Sequence, residues 1–186
     1  MSHPLLARPL LRSSRALSRR TFFDLGGTTA PQRFTASRRL PHTPAALYRL
    51  VSDIDAYHLY LPYCLGSRIT SRCPSTNSPT EADLRVGWGA FDETFRSRVT
   101  CVPERLTVRA DASENPLFER LTATWEIADA AGGAAGDVSL HVEFAFANPL
   151  YAVVGGAVAP TVAGVMVDAF EKRASEVLET TMDRQR

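Results

Sequence analysis

Cysteine and histidine are scarce in this sequence, with 3 and 4 residues in a chain of 186. The cysteines, Cys64, Cys73 and Cys101, are odd in number and form no Cys-x-x-Cys pair. This argues against a disulfide framework and fits a reducing compartment. We expect all three thiols to be buried as small apolar side chains. The histidines are scattered without the spacing of zinc ligands, so no metal site is predicted.

Motifs for catalysis are lacking as well. No Ser-His-Asp or Cys-His arrangement stands out, and no glycine-rich phosphate loop precedes a predicted helix. The sequence therefore predicts no catalytic residue and no cofactor.

Acidic residues are nearly missing from the first thirty positions. Residues 1–30 hold five of the 21 basic residues, all arginine, but only one of the 20 acidic residues, Asp24. Leucine and alanine recur between the arginines, which is typical of a mitochondrial transit peptide; a disordered basic tail is the alternative. The remaining 16 basic and 19 acidic residues give 31–186 a net charge of −3. This disfavours a nucleic-acid-binding domain.

One domain is predicted for 31–180, followed by a short tail at 181–186. It opens with a strand at 33–40 and a helix at 44–52, for which Thr43 is the expected N-cap and Pro44 the first helical residue. A short helix or turn follows at 54–60. We expect 71–82 to be a polar loop and 128–137 a hairpin turn.

The middle of the chain alternates apolar and polar residues, which predicts antiparallel strands with one apolar face. The clearest runs lie at 83–88, 91–101, 106–108, 121–127 and 138–146. A four-residue repeat then predicts one long C-terminal helix, through Val158, Val162, Met166, Phe170, Ala174 and Leu178. Because an apolar sheet face needs a cover, we predict an α+β helix-grip fold, a curled antiparallel sheet around this helix.

No charged residue occurs in 148–167. Twenty such residues are long enough for a transmembrane helix, but the stretch contains several glycines and prolines, and its removal would uncover the sheet. A second interpretation is a solid core in which the small helix residues interdigitate with large strand residues. The third is an apolar cavity between the two, which is the usual form of a site for a lipophilic ligand.

Several motifs resemble those of the mitochondrial coenzyme Q-binding proteins, within the polyketide cyclase/START-like superfamily. The resemblance covers about 33–180, and Tyr63 and Trp88 depart from the family pattern while keeping an aromatic ring. It is carried by "LVSDIDAYHLYLPYCLGSRI" (50–69), "LRVGWGAFDETFRSRVT", "FERLTATWEI", and "VEFAFANPLY" running into "MVDAFEKRA".

This resemblance implies a START-like fold and ubiquinone as the bound ligand. It also implies a peripheral position on the matrix side of the mitochondrial inner membrane. The implied role is that of a lipid carrier or chaperone, not an enzyme, supporting ubiquinone biosynthesis and respiratory electron transport. Quinone-synthesis or respiratory complexes are the implied protein partners, and nucleic acid is not.

An apolar binding site is predicted from the inward strand positions and the helix. Glu93 is its one charged member and needs either an arginine partner near the rim or a quinone carbonyl. Tyr57 and Tyr60, together with Tyr63, offer hydroxyls at its mouth, or merely pack there. Membrane contact is predicted at Tyr151, Val153 and Val154. The predicted ligand-binding residues are Leu61, Tyr63, Trp88, Phe91, Glu93, Phe95, Trp125, Phe144, Phe146, Val158, Val162, Met166 and Phe170.

Two other functions remain open. An aromatase/cyclase-type enzyme on the same fold would need several convergent polar residues in the cavity. A ribosome-interacting protein would need a basic surface, and the net charge of −3 over 31–186 argues against it.

Overall fold

The computed structural model describes residues 31–88, 91–130, 132–148 and 159–179. Within these ranges, seven strands form one antiparallel sheet in the order β1-β7-β6-β5-β4-β3-β2. Short 3-10 turns occur at Ile54–Leu59 and Pro103–Arg105, and a π-helical turn at Ser175–Glu179. The other elements are β1 (Gln32–Leu40), α1 (Pro44–Ser52), β2 (Cys64–Arg72), β3 (Pro79–Trp88), β4 (Phe91–Val102), β5 (Thr107–Asp111), β6 (Phe118–Asp129), β7 (Gly136–Phe146) and α2 (Ala159–Ala174).

Helix α1 begins as predicted. The Thr43 hydroxyl accepts a hydrogen bond from the Ala46 amide at 3.3 Å, and Pro44 occupies the first turn, where its missing N–H costs nothing. The apolar face of the helix, which includes Leu47 and Val51, is buried in the core. The predicted short helix at 54–60 is the 3-10 turn Ile54–Leu59.

Strand β2 was missed, and the predicted polar loop 71–82 was too long. The chain leaves the sheet only at 73–78, because β2 continues to Arg72 and β3 begins at Pro79. The pairing of β2 with β3 shifts register three times between Cys64 and Arg72. Each shift breaks the period-two pattern, so the alternation that marks the other strands is not visible here.

The predicted hairpin between the last two strands is confirmed. Strands β6 and β7 pair antiparallel, from Asp129 with Gly136 to Phe118 with Phe146. In the connection, Gly133 has a φ of +90°, which an L side chain rarely adopts, and its amide donates to the Asp129 carboxylate at 2.7 Å.

The buried stripe of α2 differs from the predicted one. Phe170 and Ala174 are buried as expected, but Ala163 and Val167 complete the stripe, while Met166 and Leu178 are only partly buried. A strict four-residue repeat advances about 40° per step around a helix of 3.6 residues per turn, so it drifts off one face. The spacing of 163, 167, 170 and 174 mixes steps of four and three and stays on the sheet.

One core joins the sheet to both helices. It contains Trp125, Ile127, Val138 and Leu140 from the inner faces of β6 and β7, with Val51 of α1 and the α2 stripe against them. The helices within the described ranges are too short or too polar to cross a bilayer. Of the charge-free stretch, 159–167 forms the beginning of α2, and 149–158 lies outside the described residues.

Arginines on the outer face of the sheet are paired with carboxylates on neighbouring strands. Arg39 donates to Asp137 at 2.8 Å, and Arg85 to Asp92 at 2.7 Å. These hydrogen bonds lower the pKa of Asp137 and of Asp92. Such exposed pairs contribute little to stability, but they neutralise the surface locally.

The prediction that all three thiols are buried is wrong, because Cys64, Cys73 and Cys101 are each only partly buried. Cys64 and Cys101 pack against the core, and burial raises the pKa of both thiols. Cys73 follows the last residue of β2, and hydrogen bonds from Ser75 and Thr76 lower its pKa to about 6.

Candidate functional site

Four rings meet on the inner face of the sheet and form what we call the aromatic cluster. It consists of Tyr57 and Tyr60 from the 3-10 turn and its end, Trp125 from β6 and Phe170 from α2. Phe170 lies at the centre, with its ring 4.4 Å from Trp125, 5.2 Å from Tyr60 and 5.7 Å from Tyr57 between centroids. The predicted wall residues Trp125 and Phe170 therefore contact each other directly. Both are buried.

Five phenylalanines form a second aromatic group, which we call the phenylalanine row. It crosses four strands, with Phe34 on β1, Phe144 and Phe146 on β7, Phe118 on β6 and Phe95 on β4. Successive centroids are 5.8, 5.6, 5.0 and 5.2 Å apart. The row brings together the predicted residues Phe95, Phe144 and Phe146.

Phe34 and Phe118 were missed. Phe34 alternates with polar residues in β1, and its ring stacks on Phe144 across the pairing of β1 with β7. Phe118 precedes a shift in register between β6 and β7, which obscures its face in the sequence pattern.

Two of the predicted site residues point to solvent. Glu93 is exposed, as are its neighbours Asp92 and Thr94, so its carboxylate stays hydrated and requires no buried partner. Tyr63 is 45% exposed and has a φ of 65°, uncommon for a residue other than glycine. Neither lines the buried aromatic region.

Of the other predicted site residues, some have a described position and some do not. Leu61 is buried in the main core and Met166 packs against it. Trp88 ends β3, Phe91 begins β4 and Val162 lies in α2, but their side chains are outside the described part. Four predicted residues lie outside the described ranges altogether: Tyr151, Val153, Val154 and Val158.

The hydroxyls of the two clustered tyrosines are used differently. Tyr57 is buried and its hydroxyl donates to the Val51 carbonyl, which agrees with the packing alternative and not with a hydroxyl at the mouth. The Tyr60 hydroxyl is buried and has no hydrogen-bond partner among the described residues. Burial raises the pKa of Tyr60, which stays neutral.

Arg173, in the last turn of α2, also belongs to this region. Its guanidinium carbon lies 5.6 Å from the Tyr60 ring centroid, a cation–π geometry. Its Nε atom is buried without a partner among the described residues. Arg173 follows Phe170 by three positions, which places both on one side of the helix, and this spacing was the signal available in the sequence.

The site thus combines stacked rings, an apolar helix face and a few buried polar atoms. Sites for lipophilic ring compounds usually have this composition, with apolar walls and a small number of polar groups that fix orientation. The edge-on contacts among the rings, such as Tyr60 against Phe170, are those that aromatic pairs prefer.

Comparison with known proteins identifies relatives of two kinds. Residues 40–171 match the family described as polyketide cyclase/dehydrase and lipid transport. The chain is 40% identical over 141 residues to the mitochondrial coenzyme Q-binding protein of Schizosaccharomyces pombe, covering 76% of this chain and 85% of that protein. It is also 30% identical over 141 residues to the ribosome association toxin RatA of Pseudomonas aeruginosa, covering 76% of this chain and 94% of the toxin.

Solved structures share the fold. A START superfamily protein from Mycobacterium smegmatis superposes with a TM-score of 0.63 at 15% identity, over 78% of this chain and 98% of that one. At this identity the likeness concerns the fold alone. The predicted START-like helix-grip architecture is confirmed.

Proposed function

The chain belongs to the mitochondrial coenzyme Q-binding proteins, within the polyketide cyclase and lipid transport family, and from this we propose that it binds ubiquinone on the inner face of its sheet. The 40% identity to the S. pombe relative carries the proposal, because it extends over 85% of that protein. The phenylalanine row and the aromatic cluster supply the apolar surface that a quinone ring and an isoprenoid tail require.

We propose a carrier role without catalytic turnover. In this proposal residues 1–30 direct the chain to the mitochondrion, and the domain works on the matrix side of the inner membrane in support of ubiquinone biosynthesis and respiratory electron transport. An aromatase/cyclase-type activity is the enzymatic alternative on this fold. The site favours binding, because its buried Tyr60 hydroxyl and Arg173 Nε are set among rings and apolar side chains.

The similarity to the ribosome association toxin favours a second candidate, a ribosome-interacting protein. Binding to ribosomal RNA relies on arginines and lysines that are free to contact phosphates. Here the outward arginines Arg39, Arg85 and Arg96 each donate through Nε to a carboxylate of a neighbouring strand, at 2.8, 2.7 and 3.0 Å. These pairs reduce the positive charge that an RNA would meet, so quinone binding remains the leading proposal.

The test uses the full chain, expressed in a host that makes ubiquinone. We expect mass spectrometry of the lipid extract from the purified protein to detect ubiquinone. Titration with short-tailed ubiquinone is expected to quench tryptophan fluorescence in a saturable way. Absence of quinone from the extract together with no saturable quenching would reject the proposal. Co-sedimentation with ribosomes in place of quinone binding would favour the second candidate.

A carrier of a water-insoluble tail has to collect it at a bilayer, so we also propose membrane contact. Tyr151, Val153 and Val154 were predicted for this role. Among the described residues, Leu59 at the end of the 3-10 turn, Tyr63 in the connection and Leu65 at the start of β2 are 63%, 45% and 56% exposed. Three large apolar side chains exposed so close together in the chain are typical of a contact surface.

Replacing both Leu59 and Leu65 with serine is expected to weaken binding to vesicles of phosphatidylcholine and cardiolipin about tenfold or more, because each leucine loses its transfer into the bilayer. Co-flotation measures the bound fraction. Ala128→Ser, also at an exposed position, serves as the control and is expected to bind as the wild type does. If the double variant floats as well as the control, the contact lies elsewhere.

A further inference from the structure

Two buried polar atoms at the aromatic cluster have no hydrogen-bond partner among the described residues. They are the Tyr60 hydroxyl and the Arg173 Nε. Buried polar groups are nearly always hydrogen-bonded, so an unpartnered one calls for a specific explanation. Only four such side-chain atoms occur in the described part of the chain. Two of the four belong to Tyr60 and Arg173, and the Arg173 guanidinium carbon lies 5.6 Å from the Tyr60 ring centroid.

The surroundings hold both side chains in place. The Tyr60 ring makes edge contacts with Phe170 at 5.2 Å and with Tyr57 at 6.0 Å. The guanidinium carbon of Arg173 lies over the Tyr60 ring, 5.6 Å from its centroid. The Nη1 atom of Arg173 lies 3.8 Å from a carboxylate oxygen of Glu176. The two unpartnered atoms are therefore positioned by their neighbours before any ligand binds.

Tyr57 shows that a tyrosine in this cluster can find a hydrogen-bond partner for its hydroxyl. It lies three residues before Tyr60 in the same cluster, and its hydroxyl donates to the Val51 carbonyl. One tyrosine is thus used to hold the turn against α1, while the other keeps its hydroxyl available.

The chemistry of the two atoms defines what they bind. An arginine Nε–H only donates, and a neutral tyrosine hydroxyl donates readily, so together they suit an acceptor oxygen. The surrounding rings favour a flat partner. A carbonyl oxygen on a quinone ring meets both requirements, whereas an isoprenoid tail meets neither.

We propose that the Tyr60 hydroxyl and the Arg173 Nε–H hold a carbonyl oxygen of the quinone ring, so that this pair selects the head group independently of the tail. This inference rests on the proposed function. It assigns Tyr60 and Arg173 as specificity-determining residues and leaves the apolar surfaces to bind the tail.

The experiment compares two ligands, ubiquinone with two isoprene units and squalene, an isoprenoid hydrocarbon without carbonyls. Tyr60→Phe removes only the hydroxyl and is expected to weaken quinone binding about tenfold, while squalene binding is unchanged. Arg173→Met is expected to weaken quinone binding at least as much, because it removes a charge-assisted donor. Tyr48→Phe, on α1 outside the cluster, is the matched control.

Fluorescence titration gives the affinity for quinone, and competition with a bound fluorescent hydrocarbon that carries no acceptor oxygen gives that for squalene. Because the Tyr60 hydroxyl has no partner within the described protein, Tyr60→Phe is also expected to keep the melting temperature of the ligand-free protein.

The outcomes separate the inference from the proposal beneath it. If the wild type binds quinone but Tyr60→Phe and Arg173→Met bind it equally well, the inference is wrong and the proposed function stands. If the two variants lose affinity for quinone and for squalene equally, Tyr60 and Arg173 only contribute packing, and the inference is wrong. If the wild type binds squalene but no quinone, the proposed function fails and this assignment with it.

Discussion

Replacing Phe170 with alanine is expected to lower the free energy of unfolding by about 3–5 kcal/mol, the usual cost of deleting a fully buried ring. Phe170 is 2% exposed and lies within 5.7 Å of three other rings, measured between centroids. Its removal leaves a cavity between α2 and the sheet that Trp125 and Tyr60 cannot fill without leaving their own contacts. Urea denaturation followed by circular dichroism measures the loss.

Two further variants calibrate this result. Phe170→Leu retains most of the apolar volume and is expected to cost less, about 1–2 kcal/mol. Lys172→Ala, two residues on and exposed, is expected to stay within about 0.5 kcal/mol of the wild type. A cost below about 1 kcal/mol for Phe170→Ala would mean that the ring borders open space, as a cavity wall does in the ligand-free protein.

Replacing Gly136 with alanine is expected to cost about 1–3 kcal/mol through overpacking. A Cβ at this position would lie 2.6 Å from Cδ1 of Leu47, which is far closer than carbon atoms approach. Leu47 is 2% exposed and enclosed by the core, so it has little room to move aside. Gly136 therefore lets the start of β7 approach helix α1 closely.

The decisive measurement is a double-mutant cycle, which compares the stability loss of Gly136→Ala and Leu47→Ala together with the sum of their separate losses. Leu47→Ala alone is expected to cost about 2–5 kcal/mol, but in the double variant the new methyl group occupies part of the vacated space. The combined loss is then smaller than the sum by about 1–2 kcal/mol. Gly66→Ala is the control, since its Cβ would be 3.6 Å from the nearest atom, an ordinary contact. Additive losses would contradict the geometry.

Much of this fold was predictable because its strands keep a regular register. Strands β6 and β7 pair without interruption from Leu121 to Asp129, and their alternation is plain in the sequence. The N-cap at Thr43 was equally local, since it depends on two adjacent residues. Strand β2 was hidden because its register shifts conceal the period. Family motifs predicted the START-like class, which the structural comparison confirms.

The candidate site was predictable only in part. Phe95, Phe144 and Phe146 follow from strand parity, so their presence on one face could be expected. The contact of Arg173 with Tyr60 joins α2 to a turn more than a hundred positions earlier, and no local pattern predicts such a pairing. Glu93 was predicted to face the site because it has the same strand parity as Phe95. The side chain is exposed to solvent, because strand parity does not tell how far along β4 the core extends.

The pairing of β1 with β7 also governs when the sheet becomes complete during synthesis. Arg33 and Glu143, joined across these strands, are 110 positions apart, whereas β2 to β6 form a meander of sequential neighbours. The meander can assemble as it emerges, but the first strand has to wait for the last. Such long-range pairing makes folding slow. Until β7 has been synthesised, β1 has no strand to pair with, and the Phe34 ring stays exposed to solvent. Such an unpaired strand with an exposed apolar side chain is what chaperones bind.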